Sequence, residues 1–187
     1  SSLQDDRLAA LQPLQEYLKE TLSGSPSAEL TFIFTHNSRR SHLGQVWMQV
    51  LAAQAGLPVK TYSGGTEATA CNPRTVTALR EAGFEIPQPT EAENPHYHIQ
   101  YSDGQPAIEA WSKVYTDEAN PKQGFGAIMT CDSANEACPV VFGASARFPI
   151  LYRDPKEFDN TPQEKQAYAE RCKQIAIEMK WVVESLG

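Results

Sequence analysis

Residues 30–45, LTFIFTHNSRRSHLGQ, constrain the fold more than any other stretch of the chain. They open with Leu30, Thr31, Phe32, Ile33 and Phe34, a short apolar run rich in β-branched and aromatic side chains. Such a run suits a strand buried on both faces. A polar loop follows: Thr35, His36, Asn37, Ser38, Arg39, Arg40 and Ser41. Leu43, Val46, Trp47, Val50 and Leu51 then recur at helical spacing. A strand feeding a polar loop and a helix presents unpaired N–H groups and the positive end of the helix dipole at one spot. Arg39, Arg40, His36 and His42 make that spot basic in a chain whose formal net charge is -7. The expected ligand is a phosphate-like oxyanion. The plainer alternative is a surface loop with two solvated arginines.

The remainder reads as alternating helices and strands. Residues 3–22 form an amphipathic pattern with Leu8, Leu11, Leu14, Leu18 and Leu22 near one face, and Ser23 to Ser27 end it as a linker. We expect residues 1–27 to be a helix and linker packed on a domain of residues 28–187; a helical arm for a partner is the other reading. The helix after the loop runs to about Ala55 and stops at Gly56-Leu57-Pro58. Val59 to Tyr62 is a second strand, and Ser63-Gly64-Gly65-Thr66-Glu67 a loop where backbone can approach a ligand. Asn72-Pro73 caps a helix that continues through Val76 and Leu79 to Gly83. Tyr97 to Tyr101 and Ile108 to Trp111, around the Ser102-Asp103-Gly104 turn, predict an inserted hairpin. Ser112 to Tyr115 is a further strand candidate, Phe125 to Met129 a buried strand, and residues 162–186 a closing helix. This order predicts a three-layer α/β fold: a mostly parallel four-stranded sheet with helices on both faces.

The negative charge and the lack of a Lys/Arg face argue against nucleic acid as a partner. No apolar run approaches the roughly 20 residues that span a bilayer, and no leader segment is visible. The four cysteines, Cys71, Cys131, Cys138 and Cys172, are too sparse for a disulfide scaffold and point to a reducing cytoplasm. They lack close metal-ligand spacing, and His96 and His98 sit in a strand pattern, so neither a metal site nor a cofactor is expected.

Asn37-Ser38-Arg39-Arg40-Ser41 resembles the N-S-x-R-S end of the C-x5-R-S loop of low-molecular-weight protein tyrosine phosphatases and thioredoxin-coupled arsenate reductases. S-G-G-T-E-A, N-P-R-x-V-x-A-L and A-G-F, within residues 63–84, are similar to the family as well, and the likeness covers the chain from about Leu30 onward. The resemblance implies the fold of those phosphatases, a phosphate-binding loop over residues 35–41 with Arg40 gripping the anion, and hydrolase or reductase chemistry through a phosphocysteine or arsenocysteine. It also implies that Asp154, in Asp154-Pro155, is the general acid, and that Cys131 and Cys138, a C-x6-C pair followed by Pro139, form the redox pair regenerated by thioredoxin. On residue pattern alone Asp154 is an ordinary Asp before Pro in a turn, and the two thiols are structural. On a regular helix such a pair would sit about 10.5 Å apart along the axis, so a disulfide would need the segment to loop out.

The resemblance breaks at one atom. Counting back from Arg40, the nucleophilic Cys falls on Phe34. A phenyl ring neither ionises nor attacks phosphorus or arsenic. The expected protein is therefore a pseudoenzyme that retains oxyanion binding for phosphate, arsenate or a phosphorylated protein. The alternative is an active arsenate reductase or phosphatase using Cys71, Cys131 or Cys138. The ring either fills the loop and displaces the anion, or turns into the sheet core and leaves the loop open.

Overall fold

The computed structural model describes residues 3–130 and 140–187. Four parallel strands form one sheet in the order β2-β1-β5-β6, with β1 at Ala28–Ile33, β2 at Val59–Gly64, β5 at Phe125–Met129 and β6 at Ala144–Pro149. The helices are α1 (Asp5–Gly24), α2 (Arg40–Gln54), α3 (Pro73–Glu81) and α4 (Glu164–Glu184). The sheet follows from alternation along β1 and β5. Leu30, Phe32 and Ile128 join the larger core with Leu43 and Val46 of α2 and Ile175 and Met179 of α4. Ile33, Phe125, Ala127 and Met129 point the other way, into a second cluster with Phe34, Tyr115 and Val141. Both faces of the central strands are thus buried, as their unbroken apolar character requires.

The expected N-terminal helix is present and docks through Leu11, Leu14 and Leu18, all fully buried. Arg7 clamps it to α4, donating to Glu178 at 2.9 and 2.8 Å and to the Leu151 carbonyl at 2.9 Å. Asn72 caps α3 by accepting from the Arg74 N–H at 2.8 Å, and Pro73 follows at the first helical position. The hairpin forms as β3 (Tyr97–Ile99) and β4 (Ile108–Ala110), paired antiparallel.

Two elements differ from the expectation. Ser112 to Tyr115 is not a strand: it makes a single bridge, Gly65 to Val114. Its backbone is diverted, because the Lys113 N–H donates to the Asn37 side chain at 3.0 Å. Strand β6 (ASARFP) carries no clear apolar alternation, since it is an edge strand buried mainly at Phe148.

Candidate functional site

The loop between β1 and α2 lies at the carboxyl end of the central strand, where open α/β sheets place their ligands. Its conformation turns on Asn37, fully buried and at φ 49°, in the left-handed region that asparagine tolerates. Asn37 Nδ2 donates to Ser41 Oγ at 2.9 Å, Oδ1 accepts from the Lys113 N–H, and the Asn37 carbonyl accepts from His42 Nε2 at 2.8 Å.

Every carbonyl from Thr35 to Ser38 is bonded outward. Thr35 O accepts from the N–H groups of Thr66 and Glu67, His36 O from Ser112 Oγ, Asn37 O from His42, and Ser38 O from the Asn72 N–H. Within one peptide unit the C=O and the following N–H point in opposite directions. Outward carbonyls therefore turn the intervening N–H groups inward. Among the described residues, no acceptor takes the N–H of His36, Ser38, Arg39 or Ser41. Together with the α2 N-terminus this is a cradle of backbone N–H donors, an arrangement chemically suited to a negative group.

The basic side chains do not all serve it. Arg39 turns away: its Nε donates to Tyr168 at 3.0 Å and its Nη2 lies 3.6 Å from Asp159. His36 is partly exposed and pairs with Glu67 at 2.6 Å. Burial, then the Lys113 ammonium, lowers His42 from its ordinary 6.5 to about 3, so it is neutral. Nε2 must carry its proton because it faces a carbonyl, which leaves Nδ1 to accept from Ser63 Oγ at 3.4 Å. The His42 ring resonances are expected to stay flat between about pH 8 and pH 5. An ordinary histidine titration there, followed by NMR, would remove its assigned role as a neutral loop brace. The sign for stability follows: the unfolded chain takes up this proton below 6.5 and the folded chain only near 3, so His42 lowers stability as pH falls through that window.

Arg40 is the cation that remains at the cradle. It is 5% exposed, donating from Nη1 to the Tyr152 carbonyl at 2.6 Å and from Nη2 to Asp154 Oδ2 at 2.9 Å. Its Cζ lies 4.4 Å over the centroid of the Phe34 ring. Phe34 is 4% exposed: it belongs to the second core cluster, and its ring lies beneath the guanidinium. The fold thus brings Phe34, Arg40 and Asp154 together. Asp154 also caps the short 3-10 turn Pro155–Phe158 through Oδ1, which accepts from the Lys156 N–H at 3.0 Å.

Two of the four thiols lie within the described residues, and both are buried. Cys71 is 2% exposed, and burial pushes it up to about 12, so no thiolate forms at neutral pH. Cys172, on α4, is buried against Trp47 of α2, whose indole N–H donates to it at 3.3 Å. Cys131 and Cys138 lie outside the described residues.

Sequence reasoning missed Ser63, Ser112, Lys113 and the Tyr152 carbonyl, which brace the loop from distant segments. It also assigned Gly64 and Gly65 to ligand approach. A Cβ on Gly64 would lie 2.3 Å from Tyr115 Cα, and one on Gly65 2.6 Å from the carbonyls of Phe34 and Thr35. These glycines admit neighbouring backbone.

The four-stranded parallel sheet with its helices has the α/β fold of the low-molecular-weight phosphatases. No family model matches the chain. The chain is 27% identical over 145 residues to an arsenate reductase of Bacillus licheniformis, covering 76% of this chain and 84% of that protein. Its fold matches the crystal structure of a YwlE mutant from Bacillus subtilis with a TM-score of 0.59 at 17% identity, over 86% of this chain and 99% of the other. It matches a low-molecular-weight protein tyrosine phosphatase from T. tengcongensis with a TM-score of 0.58 at 17% identity, over 84% and 99%. By fold and by sequence, the chain resembles the low-molecular-weight phosphatase and arsenate reductase family.

Proposed function

We propose that this chain is a catalytically inactive relative of those enzymes whose loop at residues 35–41 binds a small tetrahedral oxyanion: phosphate, arsenate or the phosphoryl group of a phosphorylated protein. The observation that carries the reading is Phe34 at the position the nucleophile would need, its ring 4.4 Å beneath the Arg40 guanidinium. The ring contributes no lone pair for attack, and the buried Cys71 thiol is no substitute. The inward N–H groups, the α2 terminus and Arg40 require no sulfur to hold an anion. Thioredoxin enters only as a reductant of Cys131 and Cys138 if these form a disulfide, a property separate from anion binding.

The anion competes with Asp154 for Arg40. Charge-assisted hydrogen bonds contribute about 1.5–3 kcal/mol each before the costs of binding, so we expect roughly millimolar affinity. Titrating phosphate or arsenate against the amide signals of Asn37 to Ser41 measures it. Asp154→Asn keeps the turn-capping oxygen and removes the competing charge, and is expected to tighten binding about tenfold, equivalent to about 1.4 kcal/mol. No amide shift at tens of millimolar anion in either protein would sink the proposal.

A further inference from the structure

The N-terminal helix α1 is fastened to both ends of β6. Near the start of the strand, the Tyr17 hydroxyl shares a hydrogen bond with Ser145 Oγ at 2.7 Å, and the Tyr17 ring packs against Phe148 with centroids 5.2 Å apart. Just past the end of the strand, Arg7 Nη1 donates to the Leu151 carbonyl at 2.9 Å. The helix therefore lies antiparallel along β6 and holds the segment that leaves it.

Arg7 is itself firmly seated. Its Nε and Nη2 donate to the two carboxylate oxygens of Glu178 on α4 at 2.9 and 2.8 Å, and Glu178 is 1% exposed. Such a pair resists separation, because removing either partner leaves an uncompensated charge behind. With two nitrogens fixed on Glu178, the rigid guanidinium fork aims the third at Leu151. Its Cζ also lies 5.0 Å over the ring of Tyr152, which is buried.

The next carbonyl along belongs to the anion loop. Tyr152 O accepts from Arg40 Nη1 at 2.6 Å, and Asp154 Oδ2 accepts from Arg40 Nη2 at 2.9 Å. Residues 151–154 are neither helix nor strand. Two guanidinium groups thus grip consecutive carbonyls of one irregular segment, Arg7 from α1 and Arg40 from the loop. Plain core packing of α1 accounts for the burial of Leu11, Leu14 and Leu18, but not for a charged clamp on the segment that carries Asp154.

Resting on the oxyanion reading above, we propose that α1 is an autoinhibitory strap on the anion loop, with Arg7 as its positioning residue. By fixing Leu151 and Tyr152, Arg7 keeps Asp154 on Arg40, where the carboxylate competes with an incoming anion. Release of Arg7 lets residues 151–154 shift, withdraws Asp154 and opens Arg40 Nη2 to the anion.

Phosphate titration of the full chain, followed at the amide signals of Asn37 to Ser41, tests this. Arg7→Met alone would strand the buried Glu178. The variant is therefore Arg7→Met with Glu178→Met, which replaces the buried pair by apolar side chains and keeps the helix docked. It is expected to bind phosphate at least about fivefold more tightly than the parent. Arg7→Lys is a second variant: its ammonium still neutralises Glu178, but a single nitrogen does not span Glu178 and Leu151 as the fork does. It should tighten binding at least about twofold. In an Asp154→Asn background either change at Arg7 should alter affinity by less than about twofold, since the effect passes through Asp154. Tyr17→Phe, which loosens the other anchor, should also leave affinity within about twofold of the parent. The strap is overturned, with the anion reading intact, if phosphate binds the parent and both Arg7 variants equally. It is overturned too if the gain persists in the Asp154→Asn background, or if Tyr17→Phe produces the same gain. No amide shift in any of these proteins would sink the anion reading itself, and the strap with it.

Discussion

Phe34→Cys is expected to convert a protein with no measurable turnover of aryl phosphates into one with a detectable rate. The substituted thiol would stand at the foot of a loop whose N–H groups already face inward, at the N-terminus of α2, where a thiolate is favoured. Arg40 would lose its aromatic floor but keep its donors, and Asp154 lies 2.9 Å from it. We expect a gain of at least about a hundredfold over the parent, the low end of what one positioned proton-transfer group contributes. The variant also loses a ring packed against Tyr115, Phe125, Met129 and Val141. Phe→Ala substitutions in cores cost about 3–5 kcal/mol, and a thiol recovers part of that, so we expect about 3 kcal/mol of destabilisation. Activity should therefore be assayed below the variant's melting transition. A folded Phe34→Cys protein that remains inert would show that Asp154 holds Arg40 too firmly for an anion to displace it. The parent is expected to reduce no arsenate with thioredoxin present; turnover lost on Cys131→Ser would overturn the inactive reading.

The second large effect is expected at Gly64→Ala. Gly64 ends β2 opposite Ile33, and an added methyl would sit 2.3 Å from Tyr115 Cα, 2.7 Å from its Cβ and 2.8 Å from its N. No rotamer relieves a clash with main chain. The segment that must move carries the Gly65 N–H to Lys113 O bond at 2.9 Å and the Tyr115 N–H to Gly65 O bond at 3.0 Å. Overpacking costs about 1–3 kcal/mol when side chains can adjust, and we place this variant at the top of that range. For a chain of this size the melting temperature should fall by roughly 6–12 °C. Gly24→Ala is the control: nothing lies within 4 Å of the added methyl, and its effect should stay within about 0.5 kcal/mol. Denaturant unfolding of both variants decides the matter, and equal midpoints would show that Tyr115 is not held against β2.

Much of the fold was legible because its signals are local. Apolar runs of strand length stand at β1 and β5, Asn72-Pro73 supplies cap chemistry for α3, and Ser102-Asp103-Gly104 turns the hairpin. Strand β6 was not legible, because an edge strand needs little apolar pattern once its partner is present. Ser112 to Tyr115 was misleading for the converse reason: it has strand-like residues, but its backbone donors and acceptors are committed to Asn37 and Gly65.

The sequence by itself determined which chemistry is available: a strand–loop–helix with Asn37, Arg40 and Ser41 in order, a phenyl group at position 34, and an aspartate at position 154. Tertiary structure decided where those groups point. Arg39 and Arg40 are adjacent, yet successive residues entering a helix are rotated by about 100°, so one meets Tyr168 and the other meets Asp154. His42, which reads as a cation in the sequence, is neutral because nothing solvates it beside Lys113. Lys113 itself matters only through contacts with Asn37, Ser63 and Trp111. Charge state and direction depend on partners many residues away, and those partners are brought together only when the sheet, α4 and the hairpin close around the loop.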